Sequence, residues 1–299
     1  MSVRVKRTGM KGLVAVLVIA GIAATMLLGG CGQTTVTLAT TKAMSDSGLL
    51  ASVLPAFEKQ HNVEVTVVPE ATCEEALAEG RYGRADVVLV CDPAAEQQFV
   101  TAGYGYQDVP VCYSRFIIAG PESDPAGVRG FDCPAKSSRM IAMKGATYVS
   151  RSDGSDVHRK EMGYWKKNGV GDPSGEVWYI KTGQGMVETL KVASEKQGYV
   201  LVDVETWEKN KDGLNLEKIV EGCTMLLNQY GLAVSTEEGS QKKAAGDLVW
   251  YLTGKAGQAK IDAYRKYGVQ PFEANAEIQT HGTTRLAPDS SAPAGGMKM

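Results

Sequence analysis

Short apolar runs alternate along this chain with stretches whose apolar residues recur at helical spacing. Val36 to Thr40 reads as a strand. In "SDSGLLASVLPAFEKQHN", Leu49, Leu50, Val53, Leu54 and Phe57 fall on one helical face, with Ser45, Asp46 and Ser47 as capping candidates. "VEVTVV" predicts a second strand and "CEEALAEG" a short helix. Ala85 to Val90 is a continuous apolar run, the pattern of a buried parallel strand, and "PAAEQQFVTAG" predicts a third helix. The order β-α-β-α-β-α predicts a parallel sheet covered on both faces.

Two long apolar strands, Val109 to Pro121 and Thr224 to Ser235, bracket a second α/β series. That series holds helices over Ala135 to Met143, from Ser155 onward, and within "GQGMVETLKVASEKQG". Its strands are Ala146 to Ser150, Tyr199 to Asp203 and "LEKIVEG". Two closing helices run from Gln241 to Gly268. After Pro271 the pattern is lost and the composition turns to Ala, Gly, Pro, Ser and Thr, as in a disordered tail. The expected architecture is α/β with two lobes joined by two crossings. Residues 36–112 and 229–272 form lobe 1, residues 113–228 form lobe 2, and residues 273–299 form the tail.

Ligands of such folds sit beyond the carboxyl ends of the strands. Three strand-to-helix segments occupy that edge: Thr40 to Gly48, Pro69 to Glu74, and Ser150 to Ser155. Helix N-termini offer unpaired N–H groups and partial positive charge, so these segments predict an anion site. Arg151 is its main candidate, because a guanidinium presents a rigid fork of donors to an oxyanion. Ser150, Ser152 and Ser155 add hydroxyl donors, and Ser155 also suits a helix cap. Lys42 brings a positive charge to the first segment, as a ligand donor or as a solvated surface lysine. Thr182 and Gly183 in "TGQGM" cap a helix facing the cleft, with Thr182 a further candidate contact.

Charge and cysteines narrow the function classes. Of 299 residues, 22% are charged, with a formal net charge of −2, and no basic run occurs outside the N-terminus, which argues against nucleic acid. Arg4, Lys6, Arg7 and Lys11 precede an apolar stretch from Gly12 to Gly30 and then Cys31. This pattern predicts a secretory signal over residues 1–30 and, since "LLGGC" resembles a bacterial lipobox, lipidation at Cys31, with residues 31–35 as a tether. Five further cysteines, Cys73, Cys91, Cys112, Cys133 and Cys223, show no zinc-type spacing. Cys73 and Cys91 each follow a strand on the same lobe edge, where a disulfide, a soft-metal site and a pair of inert buried thiols are all open.

Five ordered blocks carry a family resemblance: "ATTKAMSDSGLLASVLPAFEKQ", "ADVVLVCDPAAEQQFVTAGYG", "GATYVSRSDGSDVHRKE", "WYIKTGQGM" and "NQYGLAV". They resemble the substrate-binding lipoprotein of tungstate ABC importers, within the type II periplasmic binding protein fold. The resemblance implies a cleft between two lobes that takes tungstate, and molybdate to some degree, with an importer permease as partner and no cofactor. It carries Thr40, Thr41 and Thr72 over as ligand contacts. It also implies a monomer, lipid-anchored outside the cytoplasmic membrane. The chain departs from the family pattern at Lys42 and Ala43, at Cys73, at Asp156 and Val157, and at Val204, where the family has arginine. Cys91 stands where the family often has histidine.

Two other readings stand beside this one. A diverged paralogue would bind another anion or a small acidic solute in the same cleft. An extracytoplasmic enzyme would need a cysteine thiolate beside a base. His158 is the only histidine near the expected cleft, and nothing in the sequence sets it beside a cysteine, so the expectation is a binding protein and not an enzyme.

Overall fold

The computed structural model describes residues 33–236 and 241–275. The expected signal segment over residues 1–30, Cys31, and residues 276–299 of the expected tail lie outside the described residues. No helix among the described residues is long and apolar enough to cross a membrane.

Thr34–Thr41 forms β1, and Thr41 caps α1, Lys42–Ser47. Gly48, at φ +85°, then turns the chain into α2, Leu49–His61. A Cβ at Gly48 would meet Tyr264 Oη at 2.8 Å, so both the backbone angle and the space call for glycine. β2 (Val63–Glu70), α3 (Cys73–Arg81), β3 (Val87–Val90) and α4 (Pro93–Thr101) lead to the long strand β4, Gly105–Gly120. There follow α5 (Pro134–Lys144), β5 (Tyr148–Ser150), α6 (Asp156–Lys167), β6 (Tyr179–Lys181) and α7 (Met186–Lys196). β7 (Val200–Asp203), α8 (Val204–Asn210) and β8 (Glu217–Val220) come next. The chain closes with β9 (Leu227–Ser235), α9 (Lys242–Thr253), α10 (Lys255–Ala263) and β10 (Phe272–Ala274).

Period-2 alternation explains how the first lobe fills. Along β3, Val87 and Leu89 face a core built with Leu50 and Phe57 of α2 and Leu248 of α9. Val88 and Val90 face the opposite core, with Ala76 and Leu77 of α3 and Phe99 of α4. Both faces are therefore covered, as expected for a fully apolar strand. The second lobe repeats the device on the far end of β4. Phe116 and Ile118 enter one core with Tyr148 and Trp165, while Ile117 and Ala119 enter another with Leu190 and Val202.

The sheet is mixed, which corrects the expected parallel sheet. β1 pairs with β3 in parallel. β9 runs antiparallel to β3 and inserts between it and β4. β4 continues into the second lobe and pairs antiparallel with β7 and β8. Strands entering from a distant part of the chain set this pairing, and an apolar run does not encode its neighbour's direction. Two local expectations also change. Thr224–Leu226 is a 3-10 turn leading into β9, so the strand begins later than its apolar run. The loss of pattern after Pro271 is not immediate either: Phe272, Glu273 and Ala274 pair with Ser114, Tyr113 and Cys112 as an edge strand.

Candidate functional site

The carboxyl ends of β1, β3 and β7, the middle of β4 and the start of β9 border a cleft of about 240 Å³. Its walls draw on residues far apart in sequence, including Thr41, Cys91, Arg115, Arg151, Asp203 and Asn228. Four helices present their first turns there. Ala43 comes from α1, Asp156 and Val157 from α6, Met186 from α7, and Val204, Glu205 and Thr206 from α8. Free N–H groups and the partial positive charge of a helix start make each of these favourable for an anion.

Two guanidinium groups join them. Arg151 Nε and Nη2 donate to Asp153 Oδ2 at 3.0 and 2.6 Å. Arg115 Nε donates to Glu273 Oε1 at 2.7 Å, and its Nη2 lies 2.5 Å from the same oxygen. The cleft carboxylates are likewise engaged. Asp46 pairs with Lys42, Asp156 with Arg159, and Glu205 with Lys266, while Asp203 accepts the Thr206 N–H as the cap of α8. Each negative charge on the wall thus has its own cation or cap.

The nine expected contacts divide. Thr41 and Arg151 line the cleft. Thr41 Oγ1 also accepts the Met44 N–H and caps α1. The other seven are beside the lining or away from it. Thr40 is buried and its hydroxyl donates to Leu89 O at 2.6 Å. Lys42 pairs with Asp46 at 2.9 Å, and both side chains are exposed. Thr72 caps α3 in a reciprocal box with Glu75. Ser150 Oγ accepts the Ser152 N–H, and Ser155 caps α6 by accepting the His158 N–H. Thr182 donates to Ser150 O at 3.1 Å and meets Thr189 Oγ1 at 2.9 Å. These hydroxyls hold the loops that shape the cleft.

Ser152 adopts φ +47°, the left-handed region. Glycine takes such an angle without steric cost, whereas a serine does not. The Ser152 N–H bond to Ser150 Oγ holds this turn beside Arg151.

Sequence reasoning passed over Arg115, Asn228 and Asp203. A charged residue inside the apolar run "VCYSRFIIAG" was the available signal for Arg115. Nothing local marks Asn228 or Asp203, which reach the cleft through β9 and the β7–α8 junction.

Cys91 on the same wall meets the buried Cys73 behind it, Sγ to Sγ 3.1 Å, and both are free thiols. Their mutual hydrogen bond and burial push the Cys73 thiol far above its ordinary range. On the buried face of α6, Glu161 accepts Trp165 Nε1–H at 3.1 Å and the Tyr179 hydroxyl at 2.5 Å. Burial raises its carboxyl from 4.5 to about 7 against those bonds.

An α/β chain with two lobes, one strand running through both, and helix starts aimed at a shared cleft has the build of a solute-binding protein. Residues 29–256 match the PBP superfamily domain, and the chain belongs to that superfamily. Within it the chain belongs to the family of the tungstate-binding protein TupA. It is 39% identical to TupA of Peptoclostridium acidaminophilum over 248 residues, 80% of this chain and 85% of that protein. The solved TupA of Desulfovibrio alaskensis G20 is 35% identical and superposes with a TM-score of 0.76, covering 82% of this chain and all of that one. A solved tungstate ABC transporter protein of Geobacter sulfurreducens is 37% identical with a TM-score of 0.65, covering 77% and 98%.

Proposed function

We propose that this chain is the extracytoplasmic solute-binding component of an ABC importer, capturing a tetrahedral oxyanion, tungstate or molybdate, between its lobes. The observation that carries this is the convergence of four helix starts with Arg115 and Arg151 on one cleft. The family supports it, since the relatives described above are tungstate-binding proteins. The lobes meet near residues 112–113 and 228–229, within β4 and at the start of β9. The chain acts as a monomer, anchored by lipid at Cys31, and hands its ligand unchanged to a membrane permease without a cofactor or a catalytic step.

Calorimetry of the soluble domain with tungstate, molybdate, sulfate and phosphate tests this. Exothermic, stoichiometric binding of tungstate or molybdate, with the anion recovered intact, is the expected result. A domain that binds none of the four overturns it.

Val204 favours a second reading. It puts an apolar side chain on the cleft wall where the family pattern has arginine. The ligand would then be a different anion or a small organic acid with an apolar part. Binding of carboxylic acids but not tungstate in the same titration selects that reading.

A further inference from the structure

At the cleft wall three metal-ligating side chains come together from separate elements. Cys73 is the first residue of α3, Cys91 follows β3, and Asp156 begins α6. One ligand atom from each lies within 4.8 Å of the other two. From this we propose that Cys73, Cys91 and Asp156 form a binding site for a thiophilic d10 cation of the zinc and cadmium class.

The donor set suits such an ion. Two sulfurs and one carboxylate oxygen match the borderline-soft preference of zinc, whereas magnesium and calcium call for oxygen ligands alone. The Cys91 backbone N–H donates to Cys73 Sγ at 3.1 Å, and Cys73 is the first residue of α3. Asp156 is held in place from behind. Its Oδ1 accepts the Cys73 backbone N–H at 3.3 Å and pairs with Arg159 Nη2. Both contacts fall on Oδ1, so Oδ2 takes no hydrogen bond among the described residues. Carboxylate support of this kind is the usual companion of a ligand shell.

The sulfur separation decides between a cation and a disulfide. Tetrahedral zinc with bonds of ~2.3 Å sets two sulfurs roughly 3.8 Å apart, so 3.1 Å must open by about 0.7 Å. A disulfide must close it by about 1 Å and also meet a fixed dihedral. Cys91 is partly exposed and can swing outward into the cleft, which favours the opening movement. Cys91 and Asp156 line the cleft and Cys73 lies behind them. The fourth position of a three-ligand ion therefore opens toward the cleft, where water or an oxygen donor completes the tetrahedron.

This site stands independently of the anion, so it is tested in the absence of any oxyanion. The reduced, anaerobic protein is titrated with Cd²⁺ while the ultraviolet thiolate-to-cadmium band is followed. The expected result is one Cd²⁺ per chain, displaced by Zn²⁺, with the band lost in Cys73→Ser and in Cys91→Ser. Asp156→Asn should weaken binding by at least about tenfold, at unchanged circular dichroism. A missing band, or one retained by either serine variant, overturns the proposal. Should the serine variants not fold, alkylation of the wild-type chain decides instead. Bound Cd²⁺ should protect Cys73 and Cys91, and protection of other cysteines overturns the proposal. So does recovery of a Cys73–Cys91 disulfide from protein isolated anaerobically.

Discussion

Arg151 grips Asp153 two residues away, with Nε and Nη2 both on Oδ2, while Oδ1 of the same carboxylate takes the Ser155 hydroxyl at 2.6 Å and the Ser155 N–H at 3.1 Å. One side chain thus ties the guanidinium to the cap of α6. Burial raises the Asp153 carboxyl, but the bonds from Ser155 and Arg151 outweigh it and leave the group below its ordinary value. Asp153 is ionised at neutral pH and occupies one edge of the fork. An anion in the cleft must displace it or use the remaining N–H groups.

The consequence for binding is directional. Arg151→Ala should lower tungstate affinity by at least about tenfold, since hydrogen bonds to charged groups contribute about 1.5–3 kcal/mol each. Arg151→Lys should recover only part, because an ammonium lacks the planar fork. Asp153→Asn should tighten binding by removing the competing charge. Calorimetry reads all three. Unchanged affinity in Arg151→Ala, with a lowered melting temperature, would make the arginine only the partner of Asp153.

Ser155 separates stability from binding. Its hydroxyl caps α6, accepting the His158 N–H at 3.4 Å. Ser155→Ala should cost roughly 1 kcal/mol in urea unfolding, with a smaller effect on anion affinity than Arg151→Ala. A loss of affinity larger than the loss of stability would make the hydroxyl a ligand contact.

Ser152 tests the strained turn. An L-residue in the left-handed region costs about 1–2 kcal/mol, and glycine gives back part of the gain as chain entropy in the unfolded state. Ser152→Gly should therefore stabilise the fold slightly, by up to about 1 kcal/mol, and leave Arg151 in position. Its N–H bond to Ser150 Oγ at 3.1 Å is a backbone bond and survives the change. A lower melting temperature in the glycine variant would contradict this.

Glu161 gives a pH signature. Its folded value of about 7 lies above its ordinary 4.5, so the folded chain holds a proton that the unfolded chain releases between those values. The contribution is fully present below about 4.5 and is lost as pH rises through about 7. Stability should fall with pH across that window by up to about 1.4 kcal/mol per pH unit from this group. Glu161→Gln cannot titrate, so the difference between wild type and variant should carry this slope. Urea midpoints measured from pH 4 to 8 check it, and a flat difference would rule it out.

Local pattern made most of the elements legible. Leu49, Leu50, Val53, Leu54 and Phe57 are all buried on α2 as their spacing required, and Thr41 and Ser155 cap the helices they precede. These features depend on residues within a turn or two, where spacing and hydrogen-bond reach are set by the backbone alone. The place of Arg151 on the cleft wall was legible from the strand-to-helix segment it occupies.

Strand order and the cleft were settled at longer range. The apolar run Val87–Val90 is equally compatible with a parallel or an antiparallel neighbour, and it has one of each: β1 on one side and β9, more than a hundred residues later, on the other. Arg115 reads as an oddity in a strand until β10 supplies Glu273 and the folded chain carries it to the same wall as Arg151. Cys73 and Cys91, eighteen residues apart with no motif between them, touch because α3 starts where β3 ends. Periodicity records which face of an element is apolar. Which surfaces then meet depends on burying those faces together, a property of the whole chain that no window of sequence contains.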